Sequence, residues 1–118
     1  MAIAALAKTA PDWAEFRQVD AREAGVDAIG SRRSGAFTRV FELSIIHLAH
    51  GVKVFERITK KTLPEFCPER HINDDGSFCL GLRAGEGITE ETARAWWAKL
   101  HAFLLCQETA TCIKCPTH

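Results

Sequence analysis

The stretch that most constrains this chain is Leu63-Pro-Glu-Phe-Cys67-Pro-Glu-Arg70-His71-Ile-Asn73-Asp-Asp-Gly76-Ser-Phe-Cys79-Leu-Gly-Leu82, which sets two cysteines and a histidine among turn formers. Asn and Asp bond their own backbone and tolerate left-handed conformations, and Gly takes positive φ without steric cost, so Asn73 to Gly76 reads as a tight turn. Pro64 biases Leu63 toward extended backbone. Cys79 therefore falls just beyond a turn, between a strand-like run before it and a helix-like run after it. The thiolate is the nucleophilic form of cysteine, and a thiol held on a loop beside a histidine or other polar donors can be activated, whereas a buried one is inert. Cys67, next to Pro68, reads as a packing cysteine, with pairing to a tail cysteine as the alternative.

The flanks supply the framework. Over residues 37–48, Phe37, Phe41, Leu43 and Ile45 alternate with Thr38, Glu42 and Ser44, which predicts a strand buried more fully toward Ile45-Ile46. Ala49 to Gly51 is a short connection to a second strand over 52–58, so the two form an antiparallel hairpin. His47 and His50 read as ordinary strand and turn residues. On the other side of the stretch, Thr89 can cap a helix, Glu90 and Glu91 suit its positive end, and Ala93, Trp96, Trp97, Leu100, Phe103 and Leu104 recur on one face. Nearer the start, an alanine-rich segment ends at Pro11, and good helix formers follow Asp12 as far as Ala24. That pattern predicts an N-terminal helix from Asp12, its cap, to near Gly25 or Gly30, which lies on a sheet through a narrow face of Trp13, Phe16 and Val19. Gly30 to Gly35 is a basic turn with no assigned role.

The chain has 118 residues, enough for one domain over 1–118 with a single core. Lys plus Arg and Asp plus Glu balance at 15 each, so no global field recruits nucleic acid or an anionic membrane. No apolar run approaches the ~20 residues that span a bilayer, and Met1 to Ala7 is too short for a secretion signal and lacks its basic start. These features predict a cytoplasmic protein. Five cysteines, an odd number at irregular spacing, then favour thiol chemistry or metal binding over a disulfide framework. In the cysteine-rich tail, residues 106–118, Cys112 and Cys115 have zinc-knuckle spacing, and Cys106 and His118 complete a set of three thiolates and an imidazole. Only one such pair is present, so free thiols, a tail disulfide and a redox pair stand beside structural zinc as readings of the tail.

The segment Arg70-His71-Ile-Asn-Asp-Asp-Gly76-Ser-Phe-Cys79-Leu80-Gly-Leu82 resembles the active-site segment of ubiquitin-conjugating enzymes, where a His-Pro-Asn turn leads through a glycine-containing loop to Cys-Leu. Aligned on the cysteine, His71 falls on the asparagine of that turn and Arg70 on its proline. The departure bears on the oxyanion-stabilising asparagine, although an imidazole N–H donates a hydrogen bond as an amide does. The resemblance extends in element order from about Phe37 to Leu105, including the long helix after the cysteine. It implies an α+β fold with an N-terminal helix, an antiparallel sheet, an active-site loop, a packing helix and a shortened C-terminus. It further implies that Cys79 accepts a protein C-terminus as a thioester and passes it to an amine, with His71 donating to the oxyanion or orienting the loop, and Asn73 and Asp74 holding the turn. No cofactor is required on this reading.

Short stand-alone relatives of this kind occur in bacterial antiphage (CBASS-like) and other conjugation operons. The resemblance thus implies a partner with a C-terminal glycine, either a ubiquitin-like protein or a cyclic-oligonucleotide synthase, and it admits an activating enzyme as a further partner. The competing reading is a non-enzymatic, cysteine-rich zinc- or partner-binding module in which Cys79 is a small strand residue. A reactive Cys79 favours the first; loss of function on metal removal favours the second.

Overall fold

The computed structural model describes residues 2–28, 40–48, 51–57, 63, 67, 70–80 and 88–109. Helix α1 (Ala2–Thr9) leads into a four-stranded antiparallel meander of β1 (Ala14–Gln18), β2 (Glu23–Ala28), β3 (Phe41–Leu48) and β4 (Gly51–Glu56), and helix α2 (Glu90–Thr109) follows the site segment. The class is α+β, as the sequence leads one to expect.

The N-terminal helix lies in a different place from the one predicted. It occupies the alanine-rich segment 2–9, whereas residues 14–18 and 23–28 are strands. Alanine and leucine favour helix, and Ile3 and Leu6, with Ala2 and Ala5, form a buried stripe. The helix ends where Ala10 precedes Pro11. Eight residues are marginal alone, and tertiary contacts hold them: Trp97 Nε1 donates to the Leu6 carbonyl at 3.1 Å and Lys8 pairs with Glu90.

The segment 12–24 has helix-forming composition, but its apolar residues serve a period of two. Ala14, Ala24, Val26 and Ala28 are buried, Phe16 packs against them, and Val19, counted toward a helical face, is 61% exposed. Between the strands, Asp20 Oδ1 accepts the Arg22 N–H at 2.7 Å, a local turn that competes with helix. Gly25 sits mid-strand with the Arg17 and Arg57 guanidinium groups over it, 2.9 and 3.1 Å from where a Cβ would stand. Sheet pairing decides the conformation, and propensity yields to it.

The hairpin of β3 and β4 forms as predicted, with Ile45 opposite Val54 and Leu48 opposite Gly51. Burial along β3 alternates through Phe41, Leu43 and Ile45, and Ile46 is only half-buried, so burial does not deepen toward the far end. Residues 37–39 and 49–50, and the predicted turn at 30–35, lie outside the described residues. On the face opposite the core, Arg57, just past β4, reaches two strands: Asp27 of β2, and Glu42 and the Leu43 carbonyl of β3.

Helix α2 begins where the sequence places it. Thr92 N–H donates to Thr89 Oγ1 at 3.2 Å and Thr89 N–H to Thr92 Oγ1 at 2.9 Å, a reciprocal cap with threonine in the position usually held by glutamate. Ala93, Trp96, Trp97, Leu100, Phe103 and Leu104 are all buried in one core with the inner face of the sheet. Trp97 is its hub, meeting Trp13, Phe16 and Trp96 edge-on at centroid distances of 5.7, 6.1 and 5.0 Å.

Trp97 also bridges α2 to α1, which generates a test. Trp97→Phe keeps most of the ring contact but removes the donor to Leu6, and the expected loss of stability is about 1–3 kcal/mol. In hydrogen exchange, the α1 amides are expected to lose protection well before those of β3.

Candidate functional site

Chain leaving β4 is anchored at once. Glu56, buried at the end of the strand, accepts the Leu63 N–H at 2.7 Å. A buried carboxylate needs such donors to offset its lost hydration. Sequence reading misses it because Glu56 shares the face of Val54, where its polar side chain gives no sign of being buried.

The predicted turn is the tip of a small hairpin. His71 faces Cys79, Ile72 pairs with Phe78, and Asn73 faces Ser77, through Cys79 N–H to the His71 carbonyl at 2.8 Å and Asn73 N–H to the Ser77 carbonyl at 2.9 Å. At the tip, Gly76 N–H donates to the Asn73 carbonyl at 2.9 Å, and Gly76 has φ 87°, a value that glycine adopts freely. The returning arm joins the outer edge of β4: Ser77 bridges Phe55, and Phe78 N–H donates to the Val54 carbonyl at 2.9 Å. The leading arm carries Cys67, which exchanges backbone bonds with Ile72 at 3.1 and 3.0 Å. Phe78 stacks on Phe103 of α2 at 4.3 Å between centroids. The hairpin is thus attached to both layers.

The tip is held by side chains, and the residue that holds it is Asp75 rather than Asp74. Asp75 Oδ1 accepts the Ser77 N–H at 2.8 Å and the Ser77 hydroxyl at 2.6 Å, Lys53 Nζ of β4 donates to Oδ2, and Asn73 Nδ2 reaches Ser77 Oγ at 3.0 Å. Lys53 above all, then the Ser77 hydroxyl and N–H, lowers the Asp75 carboxyl from its ordinary 3.8 to about 2.

Cys79 is a free, exposed thiol at the open end of this hairpin, and His71 is exposed beside it. His71 has φ 60°, the only non-glycine left-handed residue among those described. Histidine, asparagine and aspartate enter that region more readily than other side chains, so the position suits the asparagine of the resembling turn and the histidine found here. The two residues that the sequence singled out therefore meet through the backbone.

Of the four residues expected to hold zinc, Cys106 lies among the described residues as an exposed thiol outside any disulfide, while Cys112, Cys115 and His118 lie outside them. No cluster of three potential metal ligands occurs among the described residues. Cys67 is only 3% exposed, as a packing residue would be, but it is disulfide-bonded. That departs from the plain packing thiol expected of Cys67, and Cys112 and Cys115, the tail cysteines beyond Cys106, lie outside the described residues. No described helix is long and apolar enough to cross a membrane.

The family model of the prokaryotic E2 domain matches residues 14–115, from the first strand through the site hairpin and beyond α2. The chain belongs to this prokaryotic E2 family, which gives it a ubiquitin-conjugating-like role among protein partners. No curated protein and no solved structure is significantly similar to it.

The depressed Asp75 carboxyl fixes the sign of an acid effect. A carboxyl lowered on folding adds stability above about pH 3.8 and loses it as pH falls through about 2. At neutral pH Asp75→Asn is expected to cost under about 1 kcal/mol, since the pair is half-exposed and screened. Melting curves of the two proteins are expected to converge as pH falls from about 4 to about 2, and a gap that stays constant over that range would contradict the assignment.

Proposed function

We propose that the protein is a conjugating enzyme that carries the C-terminal acyl group of a partner protein on Cys79 as a thioester and transfers it to an amine. The observation that carries the reading is an exposed, free Cys79 whose N–H is bonded to the carbonyl of a left-handed His71, on a hairpin fixed to sheet and helix. Family membership supports it, because the motif aligned on Cys79 lies inside the matched span.

In the loading step the Cys79 thiolate attacks the carbonyl carbon of a C-terminal glycine held as a thioester on an activating enzyme. The new C–S bond forms as the old one breaks, and the activating enzyme's sulfur leaves as thiolate. In the transfer step an amine attacks the same carbon, and the C–N bond forms. The oxyanion then collapses, Cys79 leaves as thiolate, and the amine's extra proton passes to water or a base. A donor beside Cys79 stabilises the oxyanion of the transfer step, and the His71 imidazole N–H supplies it on this reading. The chain itself requires no cofactor. The partner is a ubiquitin-like protein or a cyclic-oligonucleotide synthase ending in glycine, in bacterial CBASS-like antiphage signalling in the cytoplasm.

The test is intact mass after incubation with candidate carrier, synthase and activating proteins. Wild type is expected to show an adduct cleaved by thiol reductant, Cys79→Ser a reductant-stable ester, and Cys79→Ala none, with its fold kept because an exposed thiol leaves little cavity. A reducible adduct on Cys79→Ala would contradict the assignment. Adduct formation that survives Cys79→Ala but fails after chelation would favour the module that holds zinc on Cys106, Cys112, Cys115 and His118.

The conformation of His71 decides how its role is measured. Alanine in a left-handed position costs about 1–2 kcal/mol, so His71→Ala mixes strain with loss of the imidazole. His71→Gly is the cleaner probe, and its transfer rate is expected to fall by about 10²–10³-fold with loading nearly normal. His71→Asn, which keeps a donor and tolerates the backbone, is expected to retain most of the transfer. Wild-type transfer by His71→Gly would remove the donor role.

A further inference from the structure

The core stripe of α2 runs through Leu100, Phe103 and Leu104 to a polar residue, Gln107, which is 4% exposed. Three residues past Leu104, an apolar side chain would continue the stripe, and burying an amide is unfavourable unless both its ends are satisfied. Both ends are spent on one residue, Arg70. Gln107 Oε1 accepts from Arg70 Nε at 2.8 Å, and Gln107 Nε2 donates to the Arg70 carbonyl at 3.0 Å. The Gln107 carbonyl takes a third bond from Arg70 Nη2 at 3.3 Å.

The Arg70 carbonyl belongs to the peptide plane that joins Arg70 to His71. The φ of His71 is the rotation between this plane and the rest of His71, so turning the plane over while the flanking Cα atoms stay in place would carry φ out of the left-handed region, and a bond that fixes the plane opposes that turn. His71 turns into the left-handed region, and its own carbonyl thereby meets the Cys79 N–H at 2.8 Å. Turned to negative φ, that carbonyl would point elsewhere. Arg70 stands where the resembling turn has proline, whose ring restricts the backbone covalently. Here hydrogen bonds from the helix supply a restraint.

We propose that Gln107 is a positioning residue for the Cys79 site: by pinning the peptide plane between Arg70 and His71 from the last turns of α2, it holds the His71 carbonyl on the Cys79 N–H. The consequence for acyl transfer rests on the function proposed above; the backbone part does not. The pin is the bond from Nε2 to the Arg70 carbonyl, and the two bonds from the guanidinium reinforce it.

Three variants separate these parts. Gln107→Met has similar length and makes no bond, Gln107→Glu keeps an acceptor for the guanidinium but turns an oxygen on the Arg70 carbonyl, and Arg70→Lys loses the guanidinium fork but keeps the carbonyl. Hydrogen exchange of the Cys79 amide is read against that of Phe78, whose bond to Val54 does not pass through the pin. Relative to Phe78, Cys79 is expected to exchange about three- to tenfold faster in Gln107→Met and Gln107→Glu, and to change less in Arg70→Lys. Transfer from Cys79 is expected to slow in the same order, with loading unchanged. Should Gln107→Met fail to fold, Gln107→Glu carries the comparison, because it leaves the guanidinium paired.

Cys79 protection that is unchanged in Gln107→Glu would overturn the pin, and lost protection with wild-type transfer would overturn the positioning role. A wild-type protein that forms no thioester would overturn the proposed function alone, and the exchange data would still decide the pin.

Discussion

The outer edge of β4 is where the sheet would otherwise end, and the arm Ser77–Phe78 pairs with it. An open edge exposes a row of unpaired backbone groups, and here Phe78 N–H meets the Val54 carbonyl while Ser77 bridges Phe55. The rest of the site follows from that attachment. The register of this arm sets where the turn closes, which residue faces Cys79, and which side chain reaches the helix. A shift of one residue would send Phe78 away from Phe103 and Asp75 away from Lys53.

Two layers then share the task of holding one short hairpin. The sheet supplies the β4 edge and Lys53, and the helix supplies Phe103 and Gln107. Each attachment is modest alone, but they act on different parts of the hairpin: its tip, its returning arm and the peptide before His71. A left-handed histidine persists only where its surroundings over-determine it. The exposed thiol at the open end is thus presented by a backbone that is fixed on three sides, the kind of pre-organisation that acyl transfer exploits.

How much of this could be read from the sequence varies with the reach of the interactions. Helix α2 was legible because its cap and its apolar face are local, and both lie within a few residues of each other. The turn at Asn73–Gly76 was legible for the same reason, although sequence could not say that Asp75, rather than Asp74, faces Ser77. The first strands were not, since Trp13, Phe16 and Val19 fit a helical period as well as Ala14 and Phe16 fit an extended one. What settles the matter is the pairing of β2 with β3, whose partners lie 13 to 23 residues away. Glu56 and Gln107 escaped notice because each is a polar residue in an apolar row, explained by a partner outside its own element. The left-handed His71 was hidden for a related reason: no single residue announces a conformation that the peptide plane before it imposes.

The measurement that tests this account most directly is scalar coupling across the hydrogen bonds of the site in the isotope-labelled protein. The account predicts coupling from the Phe78 amide nitrogen to the Val54 carbonyl carbon, and from the Cys79 amide nitrogen to that of His71. A Cys79 amide coupled to a different carbonyl, or a Phe78 amide coupled to a residue of β4 other than Val54, would show that the hairpin carrying the thiol is held in another register.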